Sequence, residues 1–95
     1  MVSEKFFNIK ERMYQEGCEF SKDDPTLAIC RSNYVGPNGK VPGAEIRYRF
    51  LDEEGSQAVV EGFNAMGADI DEADRLQKRL NNVMHQYGVT LVKRY

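Results

Sequence analysis

The sequence predicts an α+β fold of two layers in the order α-β-β-β-α-β, an antiparallel three-strand meander and a C-terminal strand with both helices on one face. Three observations predict it. Two segments, one near the start and one after Asp69, repeat apolar residues at three- and four-residue spacing, the mark of a helix with a single buried stripe. Between them lie three runs of strand-like composition, parted by the turn sequences Asn38-Gly39 and Asp52-Glu53-Glu54-Gly55. A one-stripe helix needs a partner surface, and the apolar face of the meander is the surface that both helices share.

Ser3 is placed to cap a first helix running to about Glu16, with Val2, Phe6, Ile9 and Met13 on one stripe and Phe7 and Tyr14 flanking it. Gly17 ends it. The polar run from Cys18 to Pro25 reads as a connection, closed to further helix by its proline. Thr26 to Val35 is the first strand and Ala44 to Leu51 the second, across a loop holding Asn38-Gly39. With that pair as a type I′ turn, counting back sets Leu27 opposite Phe50, Ile29 opposite Tyr48 and Arg31 opposite Ile46. Leu27, Ile29, Ile46, Tyr48 and Phe50 then share the core face, leaving Ala28, Cys30, Ser32, Glu45, Arg47 and Arg49 on the other. Pro37 and Pro42 cannot donate to a ladder, so a looser, protruding tip is expected.

Ser56 to Asn64 is the third strand. A three-residue hairpin with a bulge, Gly55 left-handed, sets Arg47 opposite Glu61 and turns Ala58, Val60 and Gly62 inward. A two-residue turn would instead bury Glu61 as an unpaired charge. Asp69, followed three residues later by Glu72, makes a variant capping box for the second helix, and Asp71 and Asp74 add to the acids at its positive end. Its stripe is Ala73, Leu76, Leu80, Val83, Met84 and Tyr87, with Arg75, Lys78, Arg79, Asn82 and Gln86 toward water. Gly88 stops it. Val89 to Tyr95 is strand-like and runs parallel to the third strand, its neighbour in the sheet left open. Helix–meander–helix order resembles that of double-stranded-RNA-binding domains, but the acids opening the second helix stand where that family has a lysine-rich phosphate clamp. The resemblance ends at element order.

At 95 residues the chain is one domain, residues 1–95. Its 13 basic and 15 acidic residues leave a formal net charge of -2, without bulk attraction for nucleic acid or an anionic membrane. No apolar run approaches the roughly 20 residues of a spanning helix, and the charged start lacks the apolar core of a secretory leader, so a cytoplasmic location is expected. Cys18 and Cys30 have neither CxxC spacing nor a second histidine for zinc, and are expected as free thiols.

Catalytic chemistry finds no ensemble. His85 has no identifiable acid or nucleophile partner, and Cys30 opposite Arg47 reads as a packed thiol more readily than an acidified one. The acids 69–74 lack the glycine and final glutamate of a calcium loop, and no glycine-rich phosphate motif occurs; neither metal, cofactor nor enzymatic activity is expected. The partner-binding expectation falls on the sheet face away from the helices, on Arg47, Arg49, Tyr34, Phe63, Val59 and Glu61, because arginine mixed with aromatics is the composition of interface centres. The expected function is a non-catalytic protein-binding module, an adaptor or inhibitor of a larger assembly, with a homodimer as an open option. The alternative is nucleic-acid binding through Arg31, Lys40, Arg47, Arg49, Lys93 and Arg94, with Tyr34 stacking a base; Glu45 and Glu61 on the same face oppose it, and a small enzyme with an unidentified site stands third.

Overall fold

The computed structural model describes residues 3–64 and 70–93, with residues 33–36, 40–42 and 70 described by their backbone. Along the chain come α1 (Glu4–Gln15), β1 (Cys18–Phe20), β2 (Leu27–Gly36), β3 (Gly39–Phe50), β4 (Gln57–Asn64), α2 (Ile70–Gln86) and β5 (Thr90–Val92). The strands form one mixed sheet in chain order: β1 to β4 make an antiparallel meander, and β5 adds to β4 in parallel at the far edge. This is the α+β fold that the sequence predicts, with one strand more, since β1 lies in what reads as a connection.

Ser3 caps α1, its Oγ accepting the Phe6 N–H at 3.1 Å, and Phe6, Ile9 and Met13 are fully buried. Gly17 then does two things that only glycine allows. Its φ is +97°, and a Cβ there would stand 2.7 Å from the Arg31 carbonyl oxygen. The Gly17 carbonyl accepts the Arg31 N–H at 3.1 Å, so the chain leaves the helix directly into the edge of the sheet. Phe20 follows inward, its ring centroid 5.9 Å from Phe6 and 6.0 Å from Phe50.

In α2, Ala73, Leu76, Leu80, Val83 and Met84 are buried, Tyr87 is half-buried, and Arg75, Lys78, Arg79, Asn82 and Gln86 are exposed, as the spacing predicts. The capping role expected of Asp69 lies outside the described residues, as does Val2 of the first helix's expected stripe. At the other end Gly88 has φ +75° and its N–H donates to the His85 carbonyl at 3.0 Å, while the Val89 N–H reaches the Met84 carbonyl at 2.9 Å. This Schellman closure satisfies two carbonyls of the last turn and points Val89 into the core.

The β2–β3 register differs from the expected one. Residues Gly36 and Gly39 pair, so Pro37 and Asn38 form the turn; this moves the pairing by two and would leave the faces unchanged. Farther down, Ser32 stands alone against Gly43 and Ala44, a bulge in which Ser32 Oγ accepts the Ala44 N–H at 3.1 Å. A Cβ on Gly43 would lie 2.7 Å from that Oγ. The bulge moves the register by one, and a one-residue slip exchanges the faces of a strand. Leu27 therefore lies opposite Arg49 and Ile29 opposite Arg47 on the open face, whereas Ala28, Cys30 and Ser32 turn into the core.

Between β3 and β4, Gly55 has positive φ as expected, but the loop is longer than a three-residue hairpin: the Leu51 N–H donates to the Gln57 carbonyl at 2.9 Å. Asp52 organises it, one carboxylate oxygen accepting the N–H groups of Glu54, Gly55 and Ser56 at 3.0, 2.7 and 3.0 Å. A second bulge, at Glu61, sets Gly62 opposite Arg47 and Phe63 opposite Ile46. Ala58 is buried and Val60 half-buried against the core, but Gly62 goes to the open face and Phe63 to the helix side, both contrary to expectation.

The core lies between the sheet and the two helices, with Tyr48 its largest fully buried side chain; the phenol donates to Asn81 Oδ1 at 3.0 Å. Burial pushes that phenol well above its ordinary titration range. Cys18 and Cys30 are not free thiols: they face each other across β1 and β2 with Cα atoms 3.9 Å apart and are joined in a disulfide inside this core. The correction follows from the two preceding ones, because β1 places Cys18 beside β2 and the bulge turns Cys30 inward. Among the described residues, no helix is long and apolar enough to cross a membrane.

Candidate functional site

The open face is built from three rows of cross-strand neighbours. One row is Leu27, Arg49, Val59 and Val92; the next is Glu19, Ile29, Arg47 and Gly62; the third is Arg31, Glu45 and Asn64. Aliphatic residues are thus interspersed with ionic ones in the first two rows, and the third is wholly polar.

The arginines are tied to carboxylates in two arrays. In the first, Glu45 receives Arg31 Nε at 3.1 Å on one oxygen and Arg47 Nε at 3.3 Å on the other, with Glu19 3.9 Å from Arg31. The second is centred on Arg49, whose Nε donates to Glu61 at 2.9 Å and whose Nη1 donates to Asp24 and, at 3.3 Å, to Thr26 Oγ1. Asp24 is itself oriented by Thr26, whose hydroxyl and N–H donate to it at 2.6 and 3.2 Å. The Arg49 hydrogen bond, followed by those from Thr26, holds the Asp24 carboxyl down at about 2. Among the described residues of this face, Glu19, Asp24, Glu45 and Glu61 balance Arg31, Arg47, Arg49 and Lys93 in formal charge.

A shallow depression of about 360 Å³ opens at one end of the first row, lined by Arg49, Leu51, Val59, Glu61, Val92 and Lys93. Its floor is aliphatic and its rim ionic. Leu51 is 51% exposed, one of four large apolar side chains so open to water among the described residues.

Of the residues singled out from sequence, Arg47, Arg49, Val59 and Glu61 do share this face, and the last three line the depression. Phe63 does not; it is exposed on the helix side. Tyr34 pairs with Val41 along the backbone, while its side chain and that of Lys40 lie outside the described residues, as does Arg94. His85 is exposed near the end of α2, and Cys30, bridged, has no thiol to acidify. Sequence reasoning missed Leu27, Ile29, Leu51, Val92 and Asp24. The signal for the first two was Gly43 within a strand, a common mark of a bulge; for Asp24 it was Asp-Pro-Thr, an aspartate able to bond the backbone two residues on. Among the described residues, no three or more His, Cys, Asp or Glu side chains are grouped to hold a metal ion. Compared with known proteins, the chain matches no family model, no curated protein and no solved structure.

Proposed function

We propose that the protein is a non-catalytic protein-binding module, an adaptor or inhibitor of a larger assembly, that receives its partner on the open sheet face. The observation that carries this reading is the depression at Val59, an aliphatic floor inside a rim of arginine and carboxylate side chains already locked in ion pairs. Such a rim loses little side-chain freedom when covered, and the floor offers a seat for one apolar anchor, the arrangement that concentrates binding energy in protein interfaces. Nucleic acid is the weaker fit. Phosphate binding draws on uncompensated cations, and Arg31, Arg47 and Arg49 each already have a carboxylate.

The test compares two variants in capture of partner from the native host. Arg47→Glu with Leu51→Glu alters the face without touching the core, and is expected to melt like the parent yet lose the partner. Arg75→Glu with Lys78→Glu on α2 is expected to retain it. The opposite pattern overturns the reading, and a steep loss of binding with salt would transfer it to nucleic acid.

The bridged cysteines also bear on location. A structural disulfide fits an oxidising compartment, whereas in the cytoplasm expected from sequence such bridges are mostly transient.

A further inference from the structure

The loop that the disulfide closes carries a part of the proposed binding face. Between Cys18 and Cys30, which are 12 residues apart in sequence, lies Asp24, the carboxylate that holds Arg49 at the rim of the depression. Besides the three-residue β1–β2 ladder and the Arg49 and Thr26 bonds already given, the loop is positioned by Ser21 N–H to the Leu27 carbonyl at 3.0 Å, Asp24 N–H to Ser21 Oγ at 3.3 Å, Leu27 N–H to the Asp24 carbonyl at 3.0 Å, and Phe50 N–H to the Thr26 carbonyl at 2.9 Å. β1 is a three-residue edge strand. With two cysteines in the chain, the bridge is its one disulfide cross-link, and it ties this margin of the sheet to β2.

We propose that the Cys18–Cys30 bridge is a redox-sensitive latch, whose opening by a dithiol reductant frees β1 and the Asp24 loop and so releases Arg49 from its fixed place on the open face. The consequence for binding rests on the function proposed above; the latch itself does not.

The bridge is buried, with Cys18 1% and Cys30 0% exposed, so an incoming thiolate reaches it when the edge strand opens locally. Cys18 is the residue nearer to such an opening, since it lines a hollow of about 580 Å³ between α1 and β1, beside Lys10, Tyr14 and Phe20. Attack there breaks the S–S bond, forms a mixed disulfide on Cys18, and sends the electron pair to Cys30 Sγ, which takes a proton. The second thiolate of the reductant then displaces Cys18 Sγ, which is protonated in turn, and the reductant departs as its own disulfide, two electrons having been transferred. Two thiols need more room than a bonded pair in a close-packed interior. β2 is held on both sides, by β1 and β3, so the short edge strand is the side that gives.

The experiment uses the full chain, isotope-labelled, oxidised or treated with dithiothreitol, without any partner. Thiol alkylation and mass give the redox state; hydrogen exchange is followed at the Arg49 Nη1 hydrogens, which donate to Asp24, and at the Tyr48 and Leu80 amides. Reduction is expected to add two alkyl groups to native protein and to speed Arg49 exchange on the order of tenfold, the scale of one lost charge-assisted hydrogen bond, with the core amides still protected. Asp24→Ala in the oxidised chain is expected to speed Arg49 exchange similarly with the bridge intact. The latch is overturned by a bridge that resists reduction until the chain is denatured, by unchanged Arg49 exchange after reduction or in Asp24→Ala, or by loss of core protection on reduction. None of these outcomes depends on whether the open face binds a protein.

Discussion

Replacing both cysteines with alanine removes the cross-link without leaving a lone buried thiol, and its cost follows from the position of the bridge. Cys18 and Cys30 are 12 residues apart in sequence. In the chain-entropy treatment, closing a loop of about that size removes roughly 9–10 cal/mol/K from the unfolded ensemble, which at 25 °C is about 3 kcal/mol. The lost sulfur contacts add to this, since both residues are buried in the core. For a domain of this size, a loss of about 3 kcal/mol lowers the melting temperature by roughly 10–20 °C. Urea denaturation of the oxidised parent and of Cys18→Ala/Cys30→Ala measures it: the midpoint should fall, and the slope should rise modestly because an uncross-linked chain unfolds to a more exposed state. The parent under reductant should approach the variant. A midpoint that stays within error of the oxidised parent would show that β1 is fixed by Phe20 and its ladder alone, and the reasoning from loop closure would fail.

Three further outcomes follow from the packing. Gly17→Ala forces a Cβ to within 2.7 Å of the Arg31 carbonyl at φ +97°, and should cost about 1–3 kcal/mol by thermal melting; an unchanged melt would contradict that close approach. Leu80→Ala, at a fully buried site in the middle of α2, should cost about 2–5 kcal/mol, and a loss under 1 kcal/mol, roughly, would remove the helix from the core. Asp24 is lowered from 3.8 to about 2, so the unfolded chain takes up its proton first as pH falls. Its contribution is complete above about pH 4 and drains away toward pH 2; Asp24→Ala should flatten the stability profile in that window, and an unaltered profile would mean that the Arg49 pair forms no better than in the unfolded chain.

Features encoded by one local signal were legible. The stripes of both helices, the Ser3 cap, the glycine stops at Gly17 and Gly88 and the two faces of β3 all depend on spacing or on a single residue's conformational range. What escaped depends on a contact between distant residues. Three residues are too few to show alternation, so β1 had no pattern to read, and without β1 nothing placed Cys18 near Cys30. The face of β2 turned on whether Ser32 opposes one residue or two, which is settled by the fit of its hydroxyl over Gly43 and not by the turn sequence. That slip puts the aliphatic residues Leu27 and Ile29 on the open face and, together with the pairing of β1, hides the disulfide. The arginine pairs were visible as composition, but their partner Asp24 sits in the connection whose path was unknown.

The order of strands in the sheet has a consequence for the way the chain assembles. Every neighbour pair from β1 to β4 is also a neighbour pair along the chain, so the meander can form by successive short closures, and only β5 must wait for the crossover through α2. Folding should accordingly be quick for a protein with so much sheet, since loop-closure entropy is met in small steps. The same order leaves a newly made chain exposed. Until α2 emerges and docks, α1 alone must shelter a meander whose inner face includes Ile46 and Tyr48, and the adhesive surface in that interval belongs to the future core.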